Sequence, residues 1–246
     1  MLEHLESRSD QSVKLERIRQ SAEKTRALAY IVGVYLGDGC IRMALRNHYS
    51  FRLNTIDRDF AESTASALDT LTGNRPNILT YPVKKSSKPN HSITATISIL
   101  DWGWIKESCN NKTLIPDYIW DMPREAKLAF VAGIMDSEGY CAKGQRGRLT
   151  VGLKACDKWI MDFHRFMSEL GVVIGKIGHE TLPSNKIAIR YHFPVDSFAN
   201  NGCYFTIQRK QNRVVEKLSN SQRPYVSRLC EDMVRTTNES CGVAQK

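Results

Sequence analysis

The chain repeats itself once, and this limits its possible folds more than any other feature. LAYIVGVYLGDG at 28–39 aligns with LAFVAGIMDSEG at 128–139, placing Leu28 on Leu128, Ala29 on Ala129, Gly33 on Gly133 and Gly39 on Gly139. The same offset of 100 carries FRLNTIDRDF at 51–60 onto VGLKACDKWI at 151–160, through Leu53 and Leu153 and through Asp57 and Asp157. It slips by two at LTG (71–73) and ELG (169–171). Two copies of a module of roughly 90 residues therefore stand in tandem, so one supersecondary unit must be built twice.

Each copy gives the same reading. An apolar helix, 26–38 and 124–138, stops at Gly39 and Gly139, the expected C-caps. Two strands follow, 40–46 and 49–56, or 140–143 and 147–155. Asp57 and Asp157 are placed to N-cap the next helix. Two more strands are expected at 78–84 and 92–99, and at 173–180 and 186–193. The strands alternate: Phe51 and Leu53 oppose Arg52 and Asn54, and Ile187, Ile189, Tyr191 and Phe193 oppose Lys186, Ala188, Arg190 and His192. The fold class is α+β, a tandem pseudo-twofold repeat of αββαββα modules. Each module is an antiparallel sheet with helices on its apolar face. The divisions are a charged helical extension over 1–25, repeats over 26–115 and 116–207, and further helices over 208–246.

The outer sheet face carries Arg52, Asn54, Arg148, Lys154, Lys186, Arg190 and His192, with few acids. Loops add Arg42, Arg46, Lys84, Lys85 and Arg146, and SSKPN at 86–90 reads as an exposed turn. Lys and Arg outnumber Asp and Glu by 9. A one-sided basic surplus suits a polyanion, because these side chains displace counterions from phosphates. The seven cysteines form no CxxC pair and no zinc spacing, so reduced thiols are expected. The first twenty residues lack an apolar signal core and contain acids, unlike a secretory or transit signal. The longest apolar run, Leu28 to Leu36, is too short to span a bilayer. These features predict a soluble protein that is not secreted, in the cytoplasm of a prokaryote or in an organelle.

Gly33 and Gly37 are four apart on one helix face, as are Gly133 and Ser137. Small residues at that spacing let two helix backbones approach closely, so the two repeated helices are expected to pack on each other. Asp38 and Glu138 then fall at the ends of those helices. An acid there faces the negative end of the helix dipole, and two brought together repel. A local rule broken twice at equivalent positions points to a functional site. Mg²⁺ or Mn²⁺ would resolve the conflict, with carboxylate oxygens from Asp38 and Glu138 and further oxygens near Gly37 and Ser137.

At these residues the chain resembles a known family. IVGVYLGDG (31–39) and VAGIMDSEG (131–139) look like two LAGLIDADG motifs. Leu36 stands where the motif has its first Asp, Asp136 keeps it, and the catalytic acid falls on Asp38 and Glu138. The segment CNNKTLIPDYIW (109–120) is also similar to the family, and the resemblance covers about residues 26–215. It implies a single-chain homing endonuclease acting as a monomer on a long double-stranded DNA site. The motif helices would form the interface, the sheets would form a saddle along the major groove, and cutting across the minor groove would leave 3′ overhangs. It also implies basic residues near the scissile phosphates. By position these are Lys112 and Lys210, with Arg209 a rival to Lys210 and Lys154 a third candidate. The chain lacks a nucleophilic Cys or Ser at its start and a terminal His-Asn, so a free-standing protein is expected. Two alternatives stay open: an RNA maturase acting on its own intron RNA, and a DNA-binding protein that has lost cleavage. No GxSxG, HExxH or P-loop supports another hydrolase.

Overall fold

The computed structural model describes residues 2–43, 49–82, 89–95, 102–141, 150–155, 159–175, 177–183, 185 and 187–221. Its elements run α1 (Leu2–Arg19), α2 (Ala22–Leu36), β1 (Cys40–Met43), β2 (Tyr49–Thr55), α3 (Arg58–Thr72), β3 (Leu79–Tyr81), β4 (Asn90–Ala95) and α4 (Trp102–Ser108). They continue α5 (Asp117–Trp120), α6 (Arg124–Glu138), β5 (Gly139–Cys141), β6 (Thr150–Ala155), α7 (Trp159–Glu169), β7 (Ile177–Thr181), β8 (Ile187–Pro194), α8 (Val195–Asn200) and α9 (Gln208–Ser221). The repeat is therefore a repeat of structure. Two four-stranded antiparallel sheets have matching orders, β1-β2-β4-β3 and β5-β6-β8-β7.

The sequence explains the layers. From Ala27 to Leu36 every side of α2 is apolar and buried, and α6 is buried from Ala129 to Asp136. Helices apolar all round belong at the centre, and these two pack on each other. α3 and α7 carry one apolar stripe each: Phe60, Ala61, Ala65, Leu68 and Leu71 on α3, and Trp159, Ile160, Phe163, Phe166 and Met167 on α7. α3 lies across β2 and β4, and on α7 the Met161 sulfur accepts from the Tyr191 hydroxyl of β8. The alternation holds where it faces these helices: Phe51, Leu53, Ile93, Leu153, Tyr191 and Phe193 are all at most 1% exposed. It fails at the outer end of β8, where Ile187 is 60% exposed and Ala188 is buried. Ile187 pairs with Thr181 at the tip of the edge strand, beyond the reach of the helix layer.

Three local expectations need correction. α2 starts at Ala22, four residues before the expected start, because Ser21 caps it by accepting from the Lys24 amide. Its C-cap is Gly37, not Gly39. Gly139 does cap α6, as expected, its amide donating to the Met135 carbonyl, but in an extended rather than left-handed conformation; Gly39 and Gly139 are both needed for close approach. A Cβ on Gly39 would lie 2.8 Å from the Val34 carbonyl oxygen, and one on Gly139 2.5 Å from that of Met135. Asp57 occupies the N-cap position of α3 but makes no side-chain capping bond. Asp157 lies outside the described residues. Cys40, Cys109, Cys141 and Cys203 are free thiols, and burial pushes those of Cys109 and Cys203 up to about 12. Among the described residues no helix is long and apolar enough to cross a membrane.

Candidate active site

The crossing of α2 and α6 is set by the four small residues. A Cβ on Gly33 would stand 2.3 Å from the Phe130 carbonyl oxygen, and one on Gly133 2.3 Å from that of Tyr30. One turn on, a Cβ on Gly37 would meet Ser137 Cβ at 2.3 Å and Glu138 Cγ at 3.5 Å. The two helices thus touch backbone to backbone, and their C-terminal ends arrive side by side. Glu138 is the last residue of α6, and Asp38 sits in the turn after Gly37. Beside them opens a cleft of about 450 Å³ whose walls include Asp38, Asn54, Asp57, Ser137, Tyr140 and Lys210.

Asp38 is solvent-exposed as a residue, yet packing on its protein side pushes its carboxyl above the ordinary carboxylate range. Lys210 and Lys112 pull it back, in that order. Both lysines reach the helix ends. Lys112 Nζ donates to the Gly37 carbonyl at 2.6 Å and lies over the Tyr35 ring, 5.3 Å from its centre. Lys210 Nζ donates to the Asp136 and Met135 carbonyls at 2.7 and 3.2 Å and lies 5.5 Å from the Phe205 ring centre. A cation is favoured where helix carbonyls are left unpaired. Lys210 is 6% exposed, and burial draws its ammonium below the usual lysine range.

The two lysines are delivered differently. Lys112 ends a turn in which Asn110, Asn111 and Lys112 all take positive φ, at 42°, 52° and 69°. Asn tolerates that region; Lys rarely occupies it, and such strain collects at functional sites. Lys210 stands in the first turn of α9, which is anchored by three acids. Asp136, buried at 2% exposure, accepts from the Thr206 and Ile207 amides at 2.9 and 3.2 Å and from the Tyr30 hydroxyl at 2.9 Å. Asp59 accepts from the Gln208 amide at 2.6 Å, and Asp57 holds Arg209 through two nitrogens at 2.7 and 2.8 Å. Arg209 is thus committed to Asp57 rather than to the helix ends. Sequence reasoning misses the anchoring role of Asp136; the signal that could have found it is its contrast with Leu36 in an otherwise repeated helix.

Comparison with solved structures gives the fold. The homing endonuclease I-WcaI, solved bound to its DNA recognition sequence, superposes with a TM-score of 0.53 at 11% identity, covering 80% of this chain and 91% of that one. Full-length WhiA from Thermatoga maritima superposes at 0.51 with 10% identity, covering 92% and 75%. This chain has the LAGLIDADG fold. No family model matches the sequence. Among curated proteins, it is similar to the gyrase A protein of Mycobacterium kansasii, part of DNA gyrase, at 19% identity over 155 residues, 61% of this chain and 27% of that protein. The gyrase A protein of Mycobacterium leprae is 23% identical over 196 residues, 78% of this chain and 15% of that one. The chain spans a small part of these relatives' length.

The outer faces of the two LAGLIDADG sheets differ. On the first, Arg42, Arg52 and Asn54 are exposed; Arg42 Nε donates to Cys40 Sγ at 3.1 Å and Arg52 Nε to Ser50 Oγ at 3.3 Å. On the second, the His192 ring meets Tyr140 edge-on at 6.4 Å. Lys154 and Arg190 pair across β6 and β8, and both bind Glu180 of β7, Lys154 at 2.9 Å. Glu180 is an acid among these bases, and Lys154 is engaged with it rather than at the helix ends. Arg46, Lys84, Lys85, Arg146, Arg148 and Lys186 lie outside the described residues.

Proposed function

We propose that the chain is a site-specific endonuclease that hydrolyses both strands of a duplex DNA site with divalent metal. The observation that carries this reading is the meeting of two acid-bearing helix ends, side by side at Gly37 and Ser137, next to a cleft walled by Asp38, Ser137 and Lys210. The two sheets would sit as a saddle in the major groove, each reading one half-site. Both repeats are in one chain, so the protein acts as a monomer. Asp38 and Glu138 supply hard oxygen donors, which fits Mg²⁺ or Mn²⁺ completing its shell with water and phosphate oxygens. Such an ion, when bound, lowers the pKa of water and stabilises a leaving oxygen. Lys112 and Lys210 hold positive charge beside the acids and meet the phosphate there, and Lys210 is kept from solvent by its burial.

A second reading is DNA binding without cleavage. It is favoured by one contact: Lys112 already occupies the Gly37 carbonyl, a candidate metal-ligand oxygen. One experiment decides between them. Plasmid libraries are incubated with Mg²⁺ or Mn²⁺ and cut ends are sequenced. Asp38→Asn and Glu138→Gln should each abolish double-strand cutting and leave specific binding near the parent value. Binding by the parent with no cutting in either metal supports the second reading, and normal cutting by either variant overturns the metal assignment.

A further inference from the structure

We propose that Glu180 is a specificity-determining residue: with Arg190 and Lys154 it forms a preset reader of G·C pairs beside the central cleft. The equivalent positions of the first sheet form a neutral reader. This deepens the DNA-binding reading above and rests on it.

The register fixes the equivalence. In the first sheet Asn54 pairs with Ser92, Ser92 pairs with Leu79, and Tyr81 follows two residues along the edge strand. In the second, Lys154 pairs with Arg190, Arg190 pairs with Gly178, and Glu180 follows two residues along. Asn54, Ser92 and Tyr81 therefore occupy the positions of Lys154, Arg190 and Glu180. In the first group the hydrogen bonds are neutral: the Tyr81 hydroxyl donates to Asn54 Oδ1 at 3.4 Å and accepts from Nδ2 of the neighbouring Asn90 at 2.8 Å. In the second, Lys154 Nζ and the Arg190 guanidinium both donate to Glu180 Oε2.

Fold stability does not explain this acid. Glu180 is 43% exposed, and exposed ion pairs add little to folding. On a face that meets phosphates a carboxylate opposes binding, so its presence points to reading rather than to affinity. Bonds from Lys154 and Arg190 hold its carboxyl below the usual glutamate range, so it stays ionised and acts only as an acceptor. In the major groove an ionised Glu suits the cytosine N4 amino group, and an Arg fork suits guanine O6 and N7. Glu180 also fixes that fork in advance, and the residue opposite Arg190 is Gly178, which puts no side chain beside the guanidinium. Tyr140 lines the central cleft, and its ring meets that of His192, which stands two residues from Arg190 on β8; this sets the group next to the cleft. The first group, built on Asn54, has the chemistry to read adenine.

The test is selection of bound sequences from a randomised duplex pool, with the full chain and with Glu180→Gln, read position by position. The parent should enrich a G·C step in one half-site near the centre. E180Q should lose that preference by about tenfold or more, while binding to unselected duplex strengthens and grows more salt-dependent. Arg190→Lys keeps the charge but lacks the fork, and should lose the guanine preference at the same place. Melting temperatures near the parent value certify both variants. E180Q enriching the same pairs as sharply as the parent overturns the assignment of Glu180 alone. A parent with no sequence preference anywhere overturns the DNA-recognition reading together with it.

Discussion

Adding a single methyl group at the helix crossing tests the central geometry. In Gly33→Ala the new Cβ would stand 2.3 Å from the Phe130 carbonyl oxygen, which is backbone and has no rotamer to escape into. Ordinary carbon–oxygen contacts begin near 3.3 Å, so α2 and α6 must separate by about 1 Å. Overpacking of this kind costs about 1–3 kcal/mol. For a chain of this size that lowers Tm by roughly 2–4 °C per kcal/mol. A 1 Å displacement of the helix ends also separates Asp38 from Glu138, and misplacement on that scale costs about a hundredfold in rate. Gly37→Ala provides an internal control. Its obstruction is a side chain, Ser137 Cβ at 2.3 Å and Oγ at 2.7 Å, so Ser137→Gly should relieve it. Thermal denaturation of G37A, S137G and the double variant forms a cycle whose coupling should be favourable by at least 0.5 kcal/mol, roughly the lower bound for residues in contact. G33A, by contrast, should not be rescued by S137G. Parent-like melting and cutting by G33A would refute the backbone contact. A G37A/S137G pair with no coupling would refute the placement of Ser137 opposite Gly37.

Two further outcomes follow from charge and burial. Asp136→Leu, which copies Leu36 into the second repeat, leaves the Thr206 and Ile207 amides without their acceptor, while the Tyr30 hydroxyl keeps Thr206 Oγ1 as a partner at 3.2 Å. It should destabilise by about 1–3 kcal/mol per buried group left unpaired, read by denaturant unfolding, with Asp136→Asn costing less. Glu180 has a lowered carboxyl pKa, so its ion pairs persist above the ordinary glutamate value near 4.3 and are lost as pH falls through the lower folded value. Carboxyl NMR titration should give a midpoint below that ordinary value, and Lys154→Met should raise it, Lys154 being the first contributor. An unmoved midpoint in that variant counts against the pairing.

The sequence makes the repeat, most strand positions and the two central helices visible, because periodicity reports which face of an element is buried. The glycine spacing also points to the helix crossing, since only small residues fit where backbones touch. What periodicity does not report is which residue lies beside which. Glu180 reads as one polar position on an edge strand, and only the β7–β8 register brings it to Arg190. The acceptors of α9 come from Asp136 and Asp59, 70 and 149 residues from the amides they hold. The end of α2 reads two residues late in the sequence because Gly39 resembles a cap, whereas close packing against Val34 and Tyr35 is what requires glycine there.

The pseudo-twofold is kept where backbones meet and abandoned where side chains anchor. Gly33 and Gly133 present each other with near-identical surroundings, each 2.3 Å from a carbonyl oxygen once a Cβ is added. Leu36 and Asp136, three residues on, do not match: one is apolar core and the other a buried carboxylate with Thr206, Ile207 and Tyr30 as donors. Tyr30 belongs to α2, so the acid of the second repeat is partly satisfied by the first. Asp57 and Asp59 repeat the arrangement from the other side, reaching from the start of α3 to the start of α9. Lys112 needs only a strained turn within its own repeat to reach its carbonyl. Lys210 reaches its carbonyls only while acids from both repeats hold the first turn of α9, so its position at the cleft reports directly on how the two halves are docked.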